Sequence, residues 1–224
     1  RLSFILWRFR IVIQLLITYF LWWAIFSQKQ TLFGYTQQTI LTYILLSALV
    51  RPLVMGTRTQ EVGILIVNGD LANFLLRPFR ILSYFVSRDI ADKLLNLFFA
   101  VFEVSILLYL LKPPLFIQAN ISTLLLTVLA LGIGTILFFY FSLLLSLFGV
   151  WTPDVWAPRF LSFVLTEFFA GMLFPLDILP KPLFAISQLL PFSYFIYFPL
   201  KVYLGELSGN SLVQGLSIGL LWIV

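Results

Sequence analysis

The 224-residue sequence contains no cysteine and no histidine, and only 10% of its residues are Asp, Glu, Lys or Arg. Without cysteine no disulfide or thiolate metal site can form, and without histidine the usual zinc ligand and the usual general base near neutral pH are missing. A soluble domain carries about 25% charged residues, whereas this chain is 61% hydrophobic. It has too few polar side chains to cover a surface in water, so we expect most of its surface to face lipid.

The sequence also lacks a phosphate-binding loop with a Walker lysine. The nearest stretch, Gly132-Ile133-Gly134, has neither a third glycine nor a lysine and lies within an apolar run. It therefore predicts close helix packing instead of nucleotide binding. Ser211, Gly215 and Gly219 recur every four residues and predict a second close contact, either within the subunit or between subunits.

Six apolar segments are predicted to cross the membrane as helices, each of which needs about 20 mostly apolar residues. They are 11–26, 38–50, 94–111, 121–148, 160–176 and 212–224, the last of which begins a span. Because the sequence starts with Arg1 instead of Met and stops within an apolar run, we expect it to be an ordered part of a longer protein. The predicted fold class is an all-α membrane protein.

The segment 182–200 is apolar and uncharged, but three prolines interrupt it. Pro182, Pro191 and Pro199 each remove a backbone donor and break a continuous helix. The stretch 183–190 would form about 12 Å of helix, less than half of the ~30 Å hydrocarbon core. We therefore expect two half-helices in a re-entrant segment, 177–206, instead of a seventh span.

The net charge of +5 follows the membrane topology, because most basic residues flank apolar runs. With an inside N-terminus, ten basic residues are cytoplasmic: Arg1, Arg8, Arg10, Arg51, Arg58, Arg77, Arg80, Arg88, Lys93 and Arg159. Four are outside: Lys29, Lys112, Lys181 and Lys201. This positive-inside bias sets the orientation and removes the reason to expect a nucleic-acid partner.

The polar stretch 56–93 lies on the predicted cytoplasmic side and retains recurring apolar residues, which predicts two short helices at the membrane surface. Asp70 follows a turn signal and is the expected N-cap of the first. Arg77-Pro78 is expected to end that helix and to open another. Ser87 together with Asp89 is expected to cap the start of span three.

Glu103 and Glu167 are the charged residues inside the predicted spans, and each lies near the middle of its segment. An acid at that depth is costly unless it is protonated, paired or facing water. No Lys or Arg lies within the spans, so no ion-pair partner is expected. Two interpretations remain: a polar transport path, or neutral acids hydrogen-bonded to Ser, Thr or Tyr on a neighbouring helix.

Three motifs resemble one family. The run Gly69-Asp70-Leu71-Ala72-Asn73-Phe74-Leu75-Leu76-Arg77-Pro78 is similar to the G-x-L-x-x-x-L-L-R-P segment of bacterial and archaeal ABC-2 type permeases of the DUF990 branch. Leu173-Phe174-Pro175-Leu176-Asp177-Ile178-Leu179-Pro180 resembles the branch's segment after span five. Leu190-Pro191-Phe192-Ser193-Tyr194 is also similar, with Tyr197-Phe198-Pro199 and Gly205 after it.

The resemblance implies a single transmembrane permease domain over residues 1–224, with six spans, a coupling helix between spans two and three, and re-entrant half-helices between spans five and six. It implies a homodimer or heterodimer of permeases resting on two separate ABC ATP-binding subunits, which hold ATP and Mg²⁺. The chain itself would bind no cofactor and catalyse no bond change. The expected activity is export of an amphipathic drug, lipid, glycan or peptide across the cytoplasmic membrane of a bacterium or archaeon.

The coupling segment implied by the resemblance contains the candidate docking residues. They are Arg77, Pro78, Phe79, Arg80, Leu82, Phe85 and Arg88. Phe79, Leu82 and Phe85 recur at helical spacing and are expected to present an apolar knob, while the arginines would pair with acidic residues on the ATPase or with lipid phosphates. The alternative is a helix that only lies on the membrane.

Two rival functions remain open from the residues alone. One is a proton-coupled secondary transporter that uses Glu103 and Glu167, although such transporters usually contain an internal repeat, and none is found here. The other is a membrane-embedded enzyme, for which the polar residues do not converge into a recognisable site.

Overall fold

The computed structural model describes residues 2–29, 31–78, 80–207 and 209–223 of the chain. Arg1, which contributes to the predicted charge bias, and Phe79, a predicted docking residue, lie outside these described residues. The described chain is mostly helical.

The described residues form long and short helices in alternation with irregular connections. The long helices are α1 (Leu2–Ser27), α2 (Gln37–Met55), α5 (Ile81–Leu111) and α6 (Ile121–Leu147). The shorter ones are α3 (Gln60–Val67), α4 (Leu71–Leu75), α7 (Trp156–Phe169), α8 (Lys181–Leu189), α9 (Tyr197–Tyr203) and α10 (Asn210–Leu221). Turns of 3-10 helix occur at Phe148–Val150, Leu176–Ile178 and Pro191–Tyr194.

Within the described part of the chain, four helical segments are long and apolar enough to cross a membrane. They are Leu6–Ser27, Gln37–Val67, Ile81–Leu111 and Ile121–Val150. They contain the first four predicted spans and confirm the class of an all-α membrane protein. Helices α7 and α10, in the regions of predicted spans five and six, have 14 and 12 residues. At about 1.5 Å per residue these helices are shorter than the membrane core, so the count of six spans stays a prediction.

Helix α7 ends at Phe169, well before the predicted end of the fifth span at residue 176. Gly171 adopts a φ of +76°, a left-handed conformation that does not continue a helix. Its carbonyl oxygen accepts a hydrogen bond from the Tyr43 hydroxyl at 2.5 Å. The Tyr197 amide donates to the Ala170 carbonyl at 2.9 Å. The end of α7 is therefore held by contacts with α2 and α9, which the hydropathy pattern does not contain.

A small β-hairpin connects α1 to α2, where the sequence predicted no strand. Strands β1 (Thr31–Leu32) and β2 (Tyr35–Thr36) are antiparallel, with Leu32 opposite Tyr35. The turn residues Phe33 and Gly34 both have positive φ, 54° and 84°, as in tight two-residue hairpins. Strands of two residues are too short to show the alternation from which a strand is predicted.

The core surrounds α2 and the stretch that leads into α9. Ile40 and Tyr43 of α2 are inaccessible, as are Phe195 and Ile196 just before α9. The predicted re-entrant segment 177–206 contains the two short helices α8 and α9 instead of one continuous helix, as its prolines predicted. Protein covers α9 on all sides, the condition under which interrupted helices are tolerated at membrane depth.

Glycines allow α6 and α10 to approach this buried stretch closely. A methyl group added at Gly134 would lie 2.6 Å from the Tyr194 carbonyl oxygen, whereas nothing lies within 4 Å of one added at Gly132. The predicted close packing is therefore confirmed at Gly134 only. At Gly215 an added methyl group would clash with the Phe198 ring, and at Gly219 it would lie 3.1 Å from Ile133. The small face of α10 is thus used within this chain.

The structure confirms one predicted cap position of the 56–93 segment and corrects the other. Asp70 is the N-cap residue of α4, as predicted, although its side chain makes no capping hydrogen bond. Ser87 and Asp89 do not start a helix, because α5 already begins at Ile81 and runs without a break to Leu111. Ser87 donates to the Ser83 carbonyl at 2.9 Å. Asp89 is buried and accepts a hydrogen bond from the Arg58 amide, outside its helix, so it serves a tertiary contact instead of a cap.

Candidate functional site

The beginning of the 56–93 segment is hydrogen-bonded to α6, at a serine that also binds α7. Thr59 donates through Oγ1 to Ser142 Oγ at 2.7 Å, and its carbonyl accepts from Ser146 Oγ at 2.7 Å. Arg159 of α7 donates to the same Ser146 hydroxyl. Thr59, Ser142 and Ser146 are all buried. Buried polar groups that satisfy one another fix a unique arrangement, so the segment cannot shift without disturbing both helices.

Ion pairs attach the same segment to α5. The Arg58 guanidinium contacts Asp92 Oδ1 at 2.6 Å, and the Arg58 amide donates to Asp89 Oδ1 at 3.1 Å. Lys93 Nζ lies 2.8 Å from Asp89 Oδ2 and also donates to the Gly56 carbonyl. Lys93 and Asp89 are both buried. Breaking a buried pair is strongly destabilising, so residues 56–59 and the first turns of α5 form one unit.

The structure separates the predicted docking residues into exposed and internal ones. Arg77, Pro78 and Arg80 are exposed between α4 and α5, and Leu82 is largely exposed. Phe85 is only 2% exposed and packs in a cluster with Val62 and Phe139. Arg88 is bonded to Glu61. These last two residues hold the segment together within the chain.

Phe85 is therefore not part of an exposed apolar knob with Leu82, because α5 turns Phe85 toward α3 and α6. Among the described residues of this segment, the most exposed apolar side chains are those of Leu75, at the end of α4, and Leu76, which is 84% exposed. The motif that contains them was visible in the sequence, but hydropathy cannot show which of its leucines is uncovered.

Glu103 in α5 forms an ion pair with Arg8 in α1. Arg8 Nε lies 2.9 Å from Glu103 Oε1, and both side chains are mostly buried. The Arg8 guanidinium also lies over the Phe99 ring, 5.0 Å from its centroid, in a cation–π contact.

Glu167 in α7 pairs with Arg51 in α2, with 2.5 Å between Arg51 Nη2 and Glu167 Oε1. The expectation that neither acid has a basic partner is therefore wrong. The predicted spans began after Arg8 and ended before Arg51, but α1 and α2 continue through both arginines. Their long side chains then reach an acid on the neighbouring helix. The two acids belong to two separate ion pairs.

A buried polar cluster that the sequence did not predict joins the hairpin to the 177–206 segment. Lys201 of α9, 5% exposed, lies 2.7 Å from Asp177 Oδ2 and 2.8 Å from the Tyr35 hydroxyl, and it also pairs with Glu206. The Tyr35 hydroxyl donates to Asp177 at 2.9 Å. Burial and the charge of Asp177 raise the pKa of Tyr35 above its usual value, so this hydroxyl remains a donor. One feature of the sequence could have indicated this cluster: a lysine inside an aromatic, apolar stretch.

No group of Asp and Glu side chains among the described residues is placed to hold a metal ion. Long apolar helices, paired intramembrane charges and a covered, interrupted helix define a polytopic helical membrane protein.

Residues 12–224, nearly the whole chain, match the family described as ABC-2 family transporter protein. The chain therefore belongs to the ABC-2 transporter family. Members of this family are membrane subunits, generally not catalytic, and the family implies association with ABC ATP-binding subunits. No curated protein and no solved structure matches the chain.

Proposed function

We propose that this chain is the membrane-spanning permease subunit of an ATP-driven ABC exporter. Family membership supports the role in transport. The observation that carries the mechanism is the attachment of residues 56–59 to α5 through Arg58 and to α6 through Thr59. Arg159 of α7 is linked to the same serine of α6 that Thr59 contacts. A partner that pushes on this segment moves three helices together.

The proposed assembly places two ABC ATP-binding subunits, which hold ATP and Mg²⁺, against the 56–93 segments of two permeases in a homodimer or heterodimer. The chain crosses the membrane six times, with its N-terminus and the 56–93 segment in the cytoplasm and residues 177–206 at the outer face. The excess of basic residues in the inner segments supports this orientation. The host membrane is the cytoplasmic membrane of a bacterium or archaeon.

In the proposed cycle, closure of the ATPases on ATP displaces the 56–93 segment, and the attached helices rotate as a rigid body. Such interface rotations switch packed helices between discrete arrangements. The path then opens outward and releases an amphipathic substrate, a class that includes drugs, lipids, glycans and peptides. Close glycine contacts, such as Gly134 against the Tyr194 carbonyl, provide surfaces along which helices can slide.

The ion pairs weaken the case for a proton-coupled secondary transporter. An acid inside the membrane needs a partner or water, and an arginine on a neighbouring helix supplies that partner and bridges the two helices. Glu103 and Glu167 each have such a partner in Arg8 and Arg51. We therefore assign both acids to holding helices together.

The docking surface on the permease is proposed to be the tip between α4 and α5. This tip consists of Leu76, Arg77 and Pro78, all exposed. Leu76 supplies the apolar anchor and Arg77 the charge for an acidic residue on the ATPase. Truncating an apolar anchor in a packed interface costs about 2 kcal/mol or more, roughly thirtyfold in affinity.

The change Leu76→Ala tests this proposal. It should weaken co-purification of the ATP-binding subunit by about thirtyfold and lower transport-coupled ATP hydrolysis, while the permease remains folded in the membrane. Affinity is measured by titrating the purified ATPase against the permease in nanodiscs. Leu189→Ala, which truncates an exposed leucine of α8, is the matched control and should leave affinity unchanged. Full affinity and full coupled hydrolysis in Leu76→Ala would refute docking at the tip.

A further inference from the structure

An apolar groove of about 240 Å³ lies where α3, α4, the start of α5 and the end of α6 meet. Apolar side chains form its walls, among them Ile66, Leu71, Leu75, Leu82 and Leu147. An engineered apolar cavity of about 150 Å³ takes up benzene, so this groove is large enough to accept part of a hydrocarbon chain.

Aromatic residues place the groove at the membrane–water boundary. Leu147 is followed by Phe148 and Trp151, which are exposed and pack edge to face with 6.2 Å between ring centroids. Trp156, also exposed, stacks on Phe160 at 4.9 Å. Exposed tryptophans concentrate at the level of lipid headgroups. The groove therefore lies where acyl chains meet headgroups, a position that favours a lipid over a soluble peptide.

A basic residue borders the groove. Arg80 immediately precedes the wall residues Ile81 and Leu82, is exposed, and forms no ion pair among the described residues. Arg77 is exposed as well, with its guanidinium 4.6 Å from the centroid of the Phe74 ring. Glu61 of α3 pairs with Arg88 of α5. An apolar groove beside an arginine without an ion-pair partner among the described residues is complementary to a lipid, in which an apolar tail is joined to a phosphate.

We propose that this groove binds an acyl chain of an anionic phospholipid from the cytoplasmic leaflet, with the headgroup phosphate held by Arg80. Attraction of basic residues to anionic lipid orients the headgroup, and burial of the methylenes in the groove holds the tail. The site rests on the proposed orientation of the chain but not on ATPase docking, which is assigned to Leu76 and Arg77 at the tip.

The test uses the purified permease without ATPases, in detergent, with phosphatidylglycerol and phosphatidylcholine of identical acyl chains at equal concentration. Native mass spectrometry counts the lipids retained. The wild-type chain should retain phosphatidylglycerol in preference, and Arg80→Gln should reduce that preference about fivefold. Leu75→Trp, which fills the groove from its exposed wall, should lower retention of both lipids. Lys181→Gln removes an exposed charge at the start of α8 and should match the wild type.

Three results would overturn the proposal. Unchanged lipid preference in Arg80→Gln would show that Arg80 does not hold the headgroup. Unchanged retention in Leu75→Trp would show that the acyl chain does not lie in the groove. Equal binding of glycerol phosphate, which lacks a tail, shows an anion site alone. If Leu75→Trp unfolds at a lower temperature than the wild type, Leu82→Trp serves as the second filled-groove variant. Loss of ATPase affinity in both tryptophan variants with normal lipid retention would assign the groove to a protein partner instead.

Discussion

Arg8 and Glu103 illustrate what a charged side chain requires inside a membrane bundle. A lone charge there costs several kcal/mol, so such residues pair or reach water. Here the carboxylate has the Arg8 guanidinium at 2.9 Å, and that guanidinium also covers the Phe99 ring. The pair bridges α1 and α5 and thereby holds α1 in position against α5.

Removing one member of this pair should be more harmful than removing both. Glu103→Gln leaves Arg8 buried without its counter-charge, and breaking a buried pair costs about 3–5 kcal/mol. The double change Arg8→Met with Glu103→Leu replaces the pair by apolar side chains of similar size and should be close to neutral. Thermal unfolding in detergent compares both variants with the wild type.

Glu167→Gln is the matched comparison for Glu103→Gln. The Arg51 side chain is 31% exposed, so it keeps water after its partner is lost, and the drop in stability should be smaller. If Glu103→Gln is as stable as the wild type but alters transport of cationic substrates, the acid lies on the transport path and the structural assignment is wrong.

At the scale of elements, the close contact between α6 and the stretch before α9 is possible because one residue of α6 is glycine and has no side chain. Gly134 lies against the backbone carbonyl of Tyr194, and a carbonyl held in the core cannot move aside as a flexible side chain can. The buried helix α9 is also held at its other side by the ion pair between Lys201 and Asp177. These contacts hold an interrupted helix in the middle of the core.

Two glycines on α6 provide a paired test of this packing. Gly134→Ala should destabilise the protein by about 1–3 kcal/mol, the usual cost of overpacking. Gly132→Ala adds the same methyl group where nothing lies within 4 Å, and alanine favours helix by up to about 1 kcal/mol, so its unfolding temperature should be unchanged or higher. Equal effects of the two changes on unfolding temperature would show that α6 does not contact this stretch as described.

At the scale of the whole molecule, the topology is the property on which the proposed function depends. The absence of native cysteine permits single-cysteine labelling without background. Ser87→Cys, Ala119→Cys and Gln188→Cys each place a thiol at an exposed position. An impermeant maleimide applied to intact spheroplasts should label positions 119 and 188 but not position 87, which should react only after the membrane is opened.

Labelling of Ser87→Cys from outside would show that the orientation is the reverse of the proposed one and that the 56–93 segment does not lie in the cytoplasm. If Gln188→Cys instead reacted only after opening, residues 177–206 would not lie at the outer face. A permeant maleimide, which should label all three positions, serves as the control for accessibility.

Much of the candidate site could be predicted from the sequence, and the missing part has a common cause. Segment 56–93, its exposed arginines and the two intramembrane acids were all identified. The burial of Phe85, the exposure of Leu76 and both arginine partners were not, because each depends on where a neighbouring helix begins, ends or turns. Hydropathy reports the average environment of a segment, whereas these features depend on the direction of individual side chains.

The sequence by itself determined that this chain lies in a membrane, that its first four predicted spans are long apolar helices, and that the proline-containing segment before α10 is interrupted. Those properties follow from composition, run length and local backbone chemistry, which need no knowledge of neighbours. Only the tertiary structure decided that α7 stops at Gly171, that Lys201 joins Asp177 and Tyr35, and that Glu103 has Arg8 as a partner. Each of these features depends on contacts between residues far apart in the chain. Packing in three dimensions selects such contacts, and a local sequence pattern carries no information about the partner residue.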